Sequence, residues 1–589
     1  MESGIGIGDL SADSPDHAGA VEPFFAERIE ILRGPSTLLF GSSAIGGVVN
    51  VVDRRIPRNR SEDPWSGELL FDYNSSSEGV TGAGFLSGNL GELTVAVSFL
   101  KRDLGDYSIP GPAELHDEEE MDGEEDHHHE EEVPTGVLGN SFSKLKTGSV
   151  GVSWLPKNGS RVSLAWIGSD TQYGVPGHEH EHAAHEEDED HDELEHEEGE
   201  ESVWIDMKHT SWDLEFEHPI RGAWIETVEG RVRYVDYQHQ EMEGDSLGTD
   251  FANELWEARI TASYGIQDVH PGTLGSQISY VDSSADGEEA LTPPSQTRDA
   301  SLFILQEWVF KSMRLEAGMR GEYREIRAED RDGYDGWASS ASLGAHYQFG
   351  ESWSAGLLLN RSQRHPTSTE LYADGPHAAT RQFELGDPDL EGETAIGIDL
   401  SLQFKSALFD LGVTAFYNDF SDYIYAAPTE DERDGLTVYQ FGAVDARFHG
   451  METQGTWHLL HSEKSYFDLG VLFDWVEADI AGSADNLPRI PPARVGLRAV
   501  YGQSFWSLRS TYRHAFAQND TAPFETPTAA YADWSVDLSL TLPFTGSKWN
   551  LLVAGENLLD EDIRYHTSPI KDVAPLPGRH IRVSMSVVF

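Results

Sequence analysis

The chain has no cysteine among its 589 residues. Disulfides, thiolate metal sites and cysteine nucleophiles are therefore excluded. The absence fits an oxidising compartment, where stray thiols are a liability. Basic residues are scarce: 41 Lys and Arg stand against 103 Asp and Glu, a net charge of −62. A chain this acidic does not bind nucleic acid by neutralising phosphates, and it concentrates cations at its surface. Long apolar runs are also missing. No stretch approaches about 18 apolar residues, so no transmembrane helix is expected. Met1 is followed by ESGIGIGDL, with neither the basic nor the apolar region of a signal peptide; for an exported protein this implies a mature or shortened chain. No GxSxG, HExxH or P-loop motif occurs, so an enzyme is not expected.

What the chain does have is two loops loaded with histidine and acid. LHDEEEMDGEEDHHHEEE (Leu115 to Glu132) carries His116, His127, His128 and His129 among 11 acidic residues. HEHEHAAHEEDEDHDELEHEEGEE (His178 to Glu201) carries His178, His180, His182, His185, His191 and His196 among 14. Nothing in these segments is worth burying. Imidazole and carboxylate are ligands that borderline divalent cations accept. A purely solvating tether needs no histidine. The loops are therefore expected to be weak, multi-site cation collectors whose capacity fails in acid as imidazoles protonate near about pH 6.5.

From Trp65 onward the apolar residues recur with period two. Trp65, Gly67, Leu69, Phe71 and Tyr73 share one face, and Leu93, Val95, Val97 and Phe99 another; Val150, Val152 and Trp154 repeat the pattern, as do Ile581, Val583, Met585, Val587 and Phe589. Segments near ten residues with one apolar and one polar or small face are the signature of transmembrane β-strands. Trp154 and the Tyr417, Tyr423, Tyr425 cluster suit interfacial girdles. A propeller or solenoid is disfavoured by the lack of a fixed repeat. The expected fold is an all-β transmembrane barrel of about 22 antiparallel strands. It spans 58–589, with short turns such as LPKNGS (Leu155 to Ser160) at one end and long extracellular loops at the other. Residues 1–57 read instead as a small α/β piece, with short strands at Ile29 to Leu32 and Val48 to Val52 around a Gly/Ser-rich turn.

Three stretches of the chain resemble the TonB-dependent outer-membrane receptors: ERIEILRGP (Glu27 to Pro35), FGSSAIGGVVNVV (Phe40 to Val52) and AGENLLDEDIRYH…PLPGRHIRVSMSVVF (Ala554 to Phe589). The terminal Phe589 is similar to the family's outer-membrane assembly signal. The resemblance implies a 22-stranded barrel in the bacterial outer membrane, closed by an N-terminal plug. It implies ligand binding between the outer loops and the plug, and energisation by a TonB–ExbB–ExbD complex that pulls on a TonB box. The chain departs from the pattern: only about 57 residues precede the barrel, so residues 1–57 are expected to be the C-terminal part of a plug, and no TonB box is visible.

A narrower resemblance is to the zinc-uptake receptors of this family. It rests on Ser14 to Glu30 (SPDHAGAVEPFFAERIE), Val235 to Ile260 (VDYQHQEMEGDSLGTDFANELWEARI) and Arg361 to Leu402. It implies zinc as the transported ligand, with no covalent cofactor, held between plug and barrel wall. The plug pair would be Asp16 and His17; the wall candidates are His239, Glu241 and Glu243 from QHQEMEG, and His377 and Glu384 from GPHAATRQFE. Zinc takes about four ligands in a tetrahedron, and without cysteine only imidazole and carboxylate remain. His239 and Glu241 share one strand face, together with Val235 and Tyr237; the alternation alone leaves open whether that face is the lumen. Asp16 and His17 read equally well as a solvated turn, and His365 as a residue that simply lines the wall. Other substrates stay open: a ferric siderophore, haem, nickel or copper, or a surface metal buffer without transport.

Overall fold

The computed structural model describes residues 1–11, 17–42, 45–60, 63–115, 135–179, 202–220, 224–266, 270–287, 290–377 and 380–589. Twenty-two strands, each antiparallel to its neighbours, close a barrel. The ring shuts where the last strand, His580–Val588, pairs with the first, Trp65–Asn74, Val587 lying opposite Leu69. Closure satisfies every edge, which is what a sheet needs in a medium without water.

The period-two pattern is inverted relative to a soluble protein. In Leu93–Leu104 the exposed residues include Leu93, Val97 and Phe99, while Thr94, Ala96 and Ser98 are buried. The same holds for Leu69 and Phe71 in the first strand and for Trp212, Leu214 and Phe216 on Ser202–Pro219. An apolar outer face and a small or polar inner face suit lipid outside and a filled, polar interior. Near the short turns, Trp353, Phe404, Phe409 and Trp457 form a run of ring contacts at 4.7, 6.3 and 4.8 Å, an aromatic belt at one membrane boundary. Trp154 and Tyr417 are likewise exposed on the outer face. A register shift between Phe420 and Tyr423 separates Tyr417 from the other two tyrosines.

Strand length differs around the ring. The first strand has 10 residues, but Leu436–His461 has 26. About 9–11 tilted residues cross a bilayer, so the long strands project beyond it. Leu104 pairs with Ser143, and Ser143 with Tyr173, so both segments carrying the acid loops leave the same end of the barrel. Of the loop histidines, His116, His127, His128, His129, His180, His182, His185, His191 and His196 lie outside the described residues; His178 sits at the end of Arg161–Glu179.

The N-terminal segment lies inside the ring. Its strands, Ala26–Leu32 and Val48–Asp53, pair antiparallel. Its helical part is corrected from the α/β expectation: among the described residues it consists of two 3-10 turns, Pro23–Phe25 and Pro35–Phe40. The longer turn is six residues bounded by Gly34 and Gly41, both at positive φ, a short run of the kind in which the tighter 3-10 pattern is used. Wall side chains pin the first residues from several sides. Glu257 accepts from the Gly6 amide at 3.0 Å, Arg233 donates to the Gly6 carbonyl at 3.0 Å, and Asn253 donates to the Gly8 carbonyl at 3.0 Å. Gly8 is required there: its φ is +78°, and a Cβ would sit 3.0 Å from Val235.

A buried ion network locks segment to wall. Arg233 bridges Glu2 at 2.8 Å and Asp213 at 2.6 Å, and Arg55 reaches Asp53 at 2.6 Å and Asp213 at 3.2 Å. Burial pushes the Asp53 carboxyl well above the usual range. It pushes the same way on Glu2, where Arg55 and Arg233 outweigh it and hold that carboxyl below the usual range. Charges this far from water are tolerated only because each is matched.

Candidate metal centre

The wall strand Ile225–Glu243 carries the first part of the site. Val235, Tyr237 and His239 are fully buried, and Glu241 nearly so. Tyr234, of opposite parity, instead meets the lipid-exposed Trp256 with ring centroids 4.6 Å apart. The face that sequence alternation left open is therefore the inner one. It is built on an apolar floor of Leu10, Val175, Ile205, Met207, Val235, Tyr237 and Leu255.

The N-terminal segment supplies the second part. The Asp9 carboxylate accepts from the Ala20 amide at 2.8 Å and the Ser11 hydroxyl at 2.9 Å, closing a loop. The Ala18 amide donates to the Tyr173 hydroxyl at 3.0 Å, tying that loop to the wall. Between these ties His17 is pressed against the strand. Its ring centroid is 4.3 Å from that of His239, edge-on at 67°. Asp16, its predicted partner, lies outside the described residues.

Donor atoms of His17, His239 and Glu241 all fall within 4.8 Å of one another. Glu241 Oε1 is 3.6 Å from His239 Nε2 and 3.8 Å from His17 Nε2. A tetrahedral ion with bonds of about 2.0–2.2 Å holds its ligand atoms roughly 3.3–3.5 Å apart, so small side-chain rotations close the set. Both rings are oriented from behind. His17 Nδ1 lies 3.2 Å from the Leu10 carbonyl, which accepts its hydrogen, and His239 Nδ1 lies 3.0 Å from the Tyr237 hydroxyl. His17 Nδ1 must donate to the carbonyl; in the His239 tautomer whose Nδ1 donates to the Tyr237 hydroxyl, each Nε2 presents its lone pair to the shared space, the usual arrangement of metal-ligating imidazoles. Phe251 lies over His239 at 4.4 Å and closes one side.

The remaining candidates divide. His377 and Glu384 face each other across a small hairpin, Asp374–His377 with Gln382–Leu385, and are hydrogen-bonded at 2.8 Å. That hairpin pairs in parallel with Leu436–His461 and folds over the barrel mouth. His377 lines the same cavity as His17, Glu241 and Leu10. Glu243 stands two residues beyond Glu241, opposite Val203 and Ser246 near the strand end, outside the three-residue cluster. His365 is buried, with Nδ1 2.9 Å from the Tyr334 hydroxyl, and is part of the wall. Sequence reasoning missed Tyr237 as an orienting group, although its place two residues before His239 puts it on the same face. It also missed Tyr173 and Phe251, whose approach no local pattern reveals.

A barrel-domain model described as "TonB dependent receptor-like, beta-barrel" matches residues 188–558, and a "TonB-dependent Receptor Plug Domain" model matches residues 3–48. The chain belongs to the TonB-dependent receptors. It is thus an outer-membrane barrel; the end with the long strand extensions is the outer one and the short turns face the periplasm. The receptor is 22% identical over 404 residues to the iron-regulated outer membrane virulence protein of Vibrio cholerae, covering 68% of this chain and 53% of that one. It is 22% identical over 448 residues to the vitamin B12 transporter BtuB of Vibrio vulnificus, covering 75% and 61%. The receptor therefore spans between half and two thirds of the length of these relatives. Among solved structures, the copper transporter OprC superposes with a TM-score of 0.79 at 16% identity, over 100% of this chain and 90% of that one. The FrpB iron transporter of Neisseria meningitidis gives 0.73 at 12%, over 97% and 88%. These likenesses concern the fold. The family and these structural neighbours are receptors and transporters, not enzymes.

Proposed function

We propose that this receptor imports a divalent transition metal across the outer membrane, with zinc as its substrate and TonB as its source of energy. The observation that carries the reading is the convergence of His17 with His239 and Glu241, a mixed imidazole and carboxylate set where plug meets wall. No thiolate is available, so the ion is held firmly enough to select and loosely enough to release. Asp16 and the His377–Glu384 hairpin are the candidates for completing coordination from the plug loop and from above. The ten histidines of the outer loops gather cations at the mouth. Unloading follows from the architecture: two of the three ligands stand on the wall and one on the plug, so any plug movement breaks the set.

Copper is the second reading. The same nitrogen and oxygen donors bind copper(II) more tightly than zinc at equal supply, and the fold is that of a protein named a copper transporter. Metal accumulation in outer-membrane-competent cells expressing the receptor tests both. Zinc accumulation that disappears in His17→Ala and Glu241→Ala and in cells lacking TonB supports the proposal. Copper accumulation with the same dependence moves the substrate assignment, and accumulation indifferent to both substitutions refutes the site.

A further inference from the structure

A second cluster of metal-capable side chains, His458, His461 and Asp468, lies at the periplasmic end. Strand Leu436–His461 runs down to the turn at 462–464, and strand Ser465–Ile480 returns from it. His458 lies opposite Asp468 in register, and a register shift between His458 and Leu460 brings His461 round to the same carboxylate. Trp457 and Leu459, on either side of His458, are exposed on the lipid face. Glu452 shares the parity of His458 and bonds Arg33 of the plug at 2.8 Å. His458 thus looks into the barrel mouth, beside the aromatic belt.

Three metal-capable side chains converge here from the two strands. Asp468 Oδ1 receives two imidazole nitrogens, His458 Nδ1 at 2.9 Å and His461 Nε2 at 2.8 Å. The opposite nitrogen of His458, Nε2, lies 3.4 Å from Asp410 Oδ2 on strand Phe409–Arg433. Both ring nitrogens of His458 therefore face carboxylate oxygens, yet a neutral imidazole carries one N–H. The arrangement calls for one more positive charge: a proton on the ring, or a cation between ring and carboxylate. A proton explains His458 alone. A cation would be shared, because donor atoms of His458, His461 and Asp468 all lie within 4.8 Å of one another. Asp410 then has the role of a carboxylate that fixes a ligating histidine from behind.

We propose that His458, His461 and Asp468 form a periplasmic-rim site for a borderline divalent cation, with Asp410 holding His458 in the tautomer whose Nδ1 lone pair faces the ion. Three protein ligands and a fourth position for water describe an exchangeable site, not a closed structural one. Reaching tetrahedral separation takes small rotations of the half-exposed His461 and of Asp468 away from His458. The site stands on its own residues and does not depend on the plug–wall centre.

The test is carbethoxylation of histidines in the full chain, held in detergent, with and without zinc chloride, read residue by residue by mass spectrometry. Zinc is expected to abolish labelling of His461 and His458. Asp468→Asn removes that protection, Asp410→Asn raises the zinc concentration for half-protection by about 10–100-fold, and His17→Ala leaves it intact. Equal labelling with and without zinc in the unsubstituted chain overturns the proposal whatever the variants do. So does protection that survives Asp468→Asn, since the ion would then be held elsewhere. Crystals grown with zinc give an independent reading: an anomalous peak between the three side chains supports the site, and its absence there with peaks at other histidines overturns it.

Discussion

Replacing Tyr237 with Phe tests the plug–wall centre through a group that touches no ion. The Tyr237 hydroxyl is 3.0 Å from His239 Nδ1, and both residues are fully buried. Phe keeps the ring in the apolar floor with Leu10, Val235 and Leu255, so the barrel and the seat of the plug are preserved. What disappears is the hydroxyl that bonds the imidazole at Nδ1 and holds its orientation. Losing an outer-shell partner of a metal ligand weakens binding about 10–100-fold, which is roughly 1.4–2.8 kcal/mol. An independent route gives the same size: a buried polar atom left without its hydrogen-bond partner costs about 1–3 kcal/mol, and no solvent reaches the ring to replace it. The assay is a chelator-buffered zinc titration of the detergent-held receptor, at free zinc too low to fill the outer loops. His239→Ala, which removes the ligand itself, is the reference and loses the tight class of sites. A Tyr237→Phe receptor with unchanged zinc affinity, beside a His239→Ala receptor that has lost it, refutes the argument that the hydroxyl orients the ring. Unchanged affinity in both refutes the centre.

Three further outcomes follow from the same structure. Arg233→Met removes one of the two cations that Glu2 and Asp213 share and leaves Arg55 alone between them; breaking a buried pair costs up to about 3–5 kcal/mol, so amide exchange at residues 2–8 should rise while the wall strands stay protected, and unchanged exchange would show that Arg233 does not seat the plug. Glu525 tests acid sensitivity in the outer loops: burial pushes its carboxyl up, but bonds from His566 and from the Ala522 and Arg489 amides outweigh burial and lower it. A lowered carboxyl stabilises the folded loops above the ordinary glutamate range, and the contribution is lost as pH falls through the lowered value. Exchange at the Ala522 and Arg489 amides should therefore increase in acid, with Glu525→Gln raised and flat across that range. Deleting 116–132 and 180–201 should remove many weak zinc sites, and lowering the pH of the intact receptor through about 6.5 should remove the same ones; weak sites that persist in acid would mean carboxylates alone collect the ion.

Much of the architecture is local, and so it is legible in one dimension. A strand in a closed barrel has lipid on one side and a filled lumen on the other, so Leu93, Val97 and Phe99 against Thr94, Ala96 and Ser98 declare both the strand and its setting. The acid loops declare themselves by composition. Of the candidate site, His239 and Glu241 were legible as a pair because two residues on a strand share a face.

The sequence by itself determined the barrel, its inside-out alternation, its family and the histidine- and acid-rich composition of two loops, because each is written in neighbouring residues. Only the tertiary structure decided which face of Ile225–Glu243 is the lumen, since Val235 and Tyr237 are apolar or amphipathic and serve either side. Tertiary structure alone brought His17 to His239, because that contact depends on where the plug loop is tied by Asp9 and Tyr173. It alone joined His461 to His458, because a register shift at the strand end moves a side chain three residues away onto the same carboxylate. Contacts made by closing a ring and filling it have no periodicity, and no reading along the chain contains them.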